Sequence, residues 1–104
     1  MKRYRLSLFS TLRSDIYYAL ENAIEAIVAR SGTERERALQ AVCEIKLLKK
    51  SDLTEHVEAA YFEEVKRFKK ELEAGKISDE DLRRLRANLW ELYKSVAKSL
   101  HSSD

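Results

Sequence analysis

Along the 104 residues, apolar positions recur mostly three and four apart, the period of an α-helix, in four blocks separated by short polar breaks. The first block, Leu12, Ile16, Leu20, Ala23 and Ile27, predicts a helix starting after Ser10 or Ser14 and ending near Arg30. Gly32 suits the left-handed residue beyond such an end. Thr33 and Glu36 have the spacing of a capping box, in which each side chain bonds the other's backbone amide. They open a second helix with the stripe Ala38, Val42, Ile45 and Leu48, expected to stop around Lys49 and Lys50. Ser51 or Asp52 with Glu55 predicts a cap for the third helix. No Gly or Pro marks this break, so one bent rod is the alternative.

The third stripe, Leu53, Val57, Tyr61, Val65, Phe68 and Leu72, runs to about Ala74 and Gly75. Glu63 with Arg67 and Lys69 with Glu73 are i,i+4 pairs expected on its wet face, each contributing about 0.3–0.5 kcal/mol. Ser78 with Asp81 announces a fourth helix, whose Leu82, Leu85, Leu89, Leu92 and Val96 form a heptad-like seam. Tyr93, Ala97 and Leu100 broaden that seam, which suits the interior of a bundle. Residues 3–8, Arg-Tyr-Arg-Leu-Ser-Leu, alternate with period two and predict a short strand or an extended arm. The expected fold is all-α. It is a four-helix bundle-like domain over residues 11–101, with antiparallel helices, short loops, a basic N-terminal arm (1–10) and a frayed tail (102–104). If the two shorter helices leave part of the longer hairpin uncovered, a second copy can cover it, so a homodimer is expected.

Composition narrows the functional classes. Pro is absent and Gly occurs twice, which argues against turn-rich β folds and Gly-rich phosphate loops. One Cys excludes an internal disulfide and any multi-cysteine zinc site. No run approaches the 18 or so apolar residues of a membrane helix, and the default location is the cytoplasm. The net charge of +2 makes a weak global case for nucleic acid, although the positive excess sits early in the chain. Charges far outnumber amides, a bias toward a thermophilic source. The acid-free stretch Met1–Arg13 has a transit-peptide flavour but is short.

Candidate chemistry is sparse. Cys43 lies beside the stripe of the second helix and reads as a small buried or half-buried hydrophobe. On a continuous helix, Asp52 and His56 would share one turn as two metal ligands. The paired Glu-x-x-His motifs of di-iron bundles are missing, so His56 reads as a surface or cap residue. No residue set calls for a cofactor, a metal or a small-molecule substrate, and the chain is read as non-enzymatic.

The most informative surface is on the fourth helix. Arg83, Arg86, Trp90 and Lys94 share one strip, with Trp90 about 100° from the seam centre and Tyr93 next to it. Trp and Arg are common anchors of protein interfaces. Cations beside a ring also suit phosphates and a stacked base. The plain alternative is that the first helix or the arm covers Trp90 and the cations are ordinary solvated charges. Lys2, Arg3 and Arg5 around Tyr4 form a second nucleic-acid feature, whose plain alternative is a strand or a loose end. Lys66, Arg67, Lys69 and Lys70, surrounded by Glu63, Glu64, Glu71 and Glu73, read as a salt-bridge-laced wet face.

The stretch Tyr61-Phe62-Glu63-Glu64-Val65, followed by a charged hairpin, resembles the helical half of GINS replication subunits. It spans about half the chain on residues common to many helices. The resemblance implies a replication-complex subunit as one alternative. The expected function is a small interaction or assembly subunit that self-associates. Trp90 and Tyr93 would be its anchors, and Arg83, Arg86 and Lys94 would orient the partner. The runner-up is a nucleic-acid accessory protein of a replication or RNA-processing complex, using the basic arm and the Arg83–Lys94 strip.

Overall fold

The computed structural model of the protein describes residues 13–29, 31–53 and 55–102, the side chains of Arg13, Leu100, His101 and Ser102 aside. Leu12 and the arm with Lys2, Arg3, Tyr4 and Arg5 lie outside the described residues. Four helices follow in order: α1 (Arg13–Val28), α2 (Glu34–Glu44), α3 (His56–Glu73) and α4 (Asp79–Ser102). Among the described residues there is no strand, and no helix is long and apolar enough to cross a membrane.

The helix ends form where side chains satisfy the orphaned backbone groups. The Thr33–Glu36 box is complete: the Thr33 amide donates to Glu36 Oε1 (2.8 Å) and the Glu36 amide donates to Thr33 Oγ1 (3.1 Å). Those bonds hold the Glu36 carboxyl below its ordinary range. The Arg37 guanidinium donates to the Ala29 carbonyl just past α1 (2.9 Å). At the end of α3, the Gly75 amide bonds the Leu72 carbonyl and the Lys76 amide bonds the Glu71 carbonyl, a Schellman closure. It requires the left-handed conformation that Gly75 adopts, at φ +72°. Ser78 Oγ then accepts from the Asp81 amide (3.1 Å) and starts α4.

The apolar stripes meet in one core. Leu82, Leu85, Leu89, Leu92 and Val96 of α4 are all buried, as their spacing predicts. Ile16, Ala19, Leu20 and Ala23 of α1 pack into the same cluster with Ala38, Ala41 and Val42 of α2. The helix α1 packs on α2 and α4, and α3 packs on α4 and α2, so α1 and α3 are diagonal. Tyr17 meets Tyr93, whereas Glu34, just beyond the other end of α1, meets Arg86. Glu58 near the start of α3 meets Ser95 in the far half of α4. Both α1 and α3 therefore run antiparallel to α4. The α1–α4 and α2–α3 seams form opposite edges of the bundle.

The structure revises four details. First, α2 stops at Glu44, and Ile45 and Leu48 enter the core from a turn rather than from helix. Second, α2 and α3 are separate helices as the main reading has it, but α3 starts only at His56, after Glu55, so neither Ser51 nor Asp52 caps it. Asp52 accepts the Lys49 amide (2.9 Å) and caps a short 3₁₀ turn, Lys50–Asp52, so it shares no helical turn with His56. Third, the buried face of α3 is Glu58, Phe62, Val65, Phe68 and Leu72; Val57 is 47% exposed. Fourth, Cys43 is exposed, because it lies about 100° round α2 from Val42, on the side turned away from the core.

Candidate partner-binding face

The leucine seam holds one side of α4 against the core, so residues about 100° from its centre fall at the rim. Tyr93 lies nearer the seam, roughly 60° from its centre, and is half-buried there. Its ring stacks on Tyr17 of α1, with centroids 5.5 Å apart and planes at 23°. The two hydroxyls are 3.3 Å apart, and the Tyr17 hydroxyl donates to Glu21 Oε2 at 3.2 Å. Tyr18 meets the Tyr17 ring edge-on at 5.3 Å. The hydrogen bond to Tyr93, with burial and the Glu21 carboxylate behind it, pushes the Tyr17 phenol above the ordinary tyrosine range.

Trp90 stands one turn earlier on α4, with its ring centroid 5.6 Å from that of Tyr93. It remains 45% exposed, so α1 does not cover it. The ammonium of Lys94 lies 5.8 Å from the Trp90 ring centroid and pairs with Glu91 Oε2 at 2.8 Å. Trp90, Tyr93 and Lys94 are therefore brought together.

The basic strip is less uniform than its helical wheel implies. Arg86 turns toward α2 and pairs with Glu34 Oε1 at 3.4 Å. Arg83 is exposed and makes no ion pair among the described residues. Of the three cations predicted to orient a partner, two already have carboxylates.

Sequence reading misses the α1 half of this face. Tyr17 sits one residue after the core position Ile16 and forms the floor under Tyr93. The Tyr17-Tyr18 doublet was the available signal, because two adjacent aromatics on a helix cannot both point inward. Elsewhere, His56 is exposed, and among the described residues no three His, Cys, Asp or Glu side chains converge to hold a metal. Compared with known proteins, the chain matches no family model, no curated protein and no solved structure.

Proposed function

We propose that this chain is a small non-enzymatic interaction subunit of the cytoplasm that self-associates through the Trp90–Tyr93 rim of α4. The observation that carries the reading is a large aromatic side chain left 45% exposed on a prearranged support. Tyr17 locks Tyr93, and Tyr93 backs Trp90, so docking on Trp90 loses little rotamer freedom. Arg83 is the cation available to a partner carboxylate, with Lys94 and Glu91 as a polar border. In a two-fold dimer the same patch would serve on both copies.

Sedimentation of the full chain across a dilution series from about 1 mM to about 1 μM tests this. The mass should fall toward the monomer as Trp90 emission shifts to the red. Trp90→Ala should weaken association by about 2 kcal/mol, roughly 30-fold. A monomer at every concentration, or a dimer indifferent to Trp90→Ala, defeats the proposal. The nucleic-acid alternative is separated by titrating Trp90 fluorescence with short oligonucleotides at about 50 and 200 mM salt. Saturable, steeply salt-dependent binding lost with Arg83→Ala would replace the protein interface with a phosphate-binding one.

A further inference from the structure

We propose that the groove where the α2–α3 connection meets α3 docks an acidic, amphipathic segment of a partner protein. The site lies on the edge of the bundle opposite Trp90, and the argument is independent of self-association.

The groove has a volume of about 450 Å³, within the usual size of ligand clefts. Leu47, Leu48 and Phe62 form its apolar floor, and Lys46, Lys49 and Lys66 stand on its rim. Leu47 is 36% exposed there, although it is a large aliphatic side chain. An ion pair between Lys50 and Glu63 closes one end.

The charges around that floor carry the inference. The wet-face reading expects Lys66 and Lys69 to be matched by the glutamates around them, but two of those carboxylates go elsewhere. Glu63 pairs with Lys50, and Glu64 pairs with Arg67. Among the described residues the ammoniums of Lys46, Lys49, Lys66 and Lys69 make no ion pair, and that of Lys66 is held 5.5 Å from the Phe62 ring centroid. Lys46, Lys49 and Lys66, three cations without an ion pair on the rim, repel one another, and an anionic partner relieves that repulsion while steering itself in.

The floor selects among anions. Phe62 and Leu48 are almost fully covered, so the apolar surface a partner meets is chiefly Leu47, an aliphatic side chain that gives a nucleic acid no ring to stack on. Residues 1–5 of this chain carry Lys2, Arg3 and Arg5, which the rim repels. A segment with one or two large apolar side chains flanked by Asp or Glu satisfies both floor and rim. It is the helix-in-groove mode with its charge sign specified.

The test is fluorescence anisotropy on the full chain with three labelled probes of equal length. One is a synthetic helical peptide with Leu and Phe at i and i+4 and Glu elsewhere. The others are oligoglutamate and a single-stranded oligonucleotide. The amphipathic peptide should bind saturably and at least about tenfold more tightly than oligoglutamate, because it adds apolar burial to charge. Lys46→Glu with Lys66→Glu, and separately Leu47→Asp, should each weaken it about tenfold or more, while Lys98→Glu on α4 leaves it unchanged. Far-ultraviolet circular dichroism and Trp90 emission, which reports the opposite edge, verify that each variant is folded. Equal binding of peptide and oligoglutamate, tighter binding of the oligonucleotide, indifference to the groove variants, or no peptide binding up to about 1 mM each overturns the proposal.

Discussion

Glu58 is fully buried on the inner face of α3, and Ser95 Oγ of α4 donates to its Oε2 at 2.9 Å. Ser95→Ala removes that donor and almost nothing else, since Cβ remains. A hydrogen bond to a carboxyl group contributes about 1.5–3 kcal/mol when the acceptor has no water to turn to. The expected loss is therefore about 2 kcal/mol. For a domain of this size that corresponds to a fall in melting temperature of roughly 10 °C. Glu58→Met keeps an unbranched side chain of similar length but leaves the Ser95 hydroxyl without its acceptor. Ser95 is only partly buried and can recruit water, so this change should cost less, about 1 kcal/mol. The double variant removes both ends of the bond and orphans neither, so its cost should fall about 2 kcal/mol short of the sum of the single costs. The cycle then yields a coupling of about 2 kcal/mol. Urea unfolding followed by circular dichroism measures it, with equal m-values confirming that the same transition is compared. If Ser95→Ala changes stability by less than about 0.5 kcal/mol, or the two single costs simply add, the bond does not hold α3 to α4 and the reasoning fails.

Two further outcomes follow from the turn and the aromatic seam. Gly75→Ala should lower stability by about 1 kcal/mol through backbone strain alone, because φ is +72° and an added Cβ meets nothing within 4 Å; an unchanged urea midpoint would contradict this. Tyr17 has its phenol pushed up, chiefly by Tyr93, so the unfolded chain releases that proton first. The contribution is whole below the ordinary tyrosine value of 10.0 and is lost as the pH climbs above it. Tyrosinate absorbance should show one phenol lagging behind the others, and Tyr93→Phe should bring it down; a titration the same in both proteins refutes the coupling.

The fourth helix was legible because one signal dominated: five apolar residues at spacings of three and four, bounded by Ser78. The third helix was harder to read. Its first turns offer two apolar tracks, Val57 with Tyr61 and, one position on, Phe62. Hydrophobicity alone selects the first. The fold selects the second and buries Glu58 with it, because Ser95 of α4 supplies a hydrogen bond that local sequence does not contain. Cys43 went the same way: adjacency to Val42 is no guide to burial when successive residues are about 100° apart. On the candidate face, Trp90 and Tyr93 could be placed from α4 alone. Their support, Tyr17, could not, since it needs the pairing of α1 with α4.

Charge was the least legible property, and energetics explains why. An exposed i,i+4 pair contributes only a few tenths of a kcal/mol, whereas fixing a lysine or glutamate side chain costs up to about 2 kcal/mol. Small geometric advantages therefore decide which partner a carboxylate takes. Glu63 takes Lys50, thirteen residues away, rather than Arg67 one turn on; Arg67 takes Glu64, and Lys69 makes no pair with Glu73. On α4, Arg86 finds Glu34 of another helix. Among the described residues these pairings leave Arg83, on the strip that carries Trp90, and Lys46, Lys49 and Lys66, round the Leu47–Phe62 floor, without a carboxylate. A net charge of +2 averages over both edges and describes neither. On the two proposals made above, the edges take different partners, an aromatic-accepting surface on one side and an acidic one on the other, and substitutions at Trp90 and at Leu47 should separate the two.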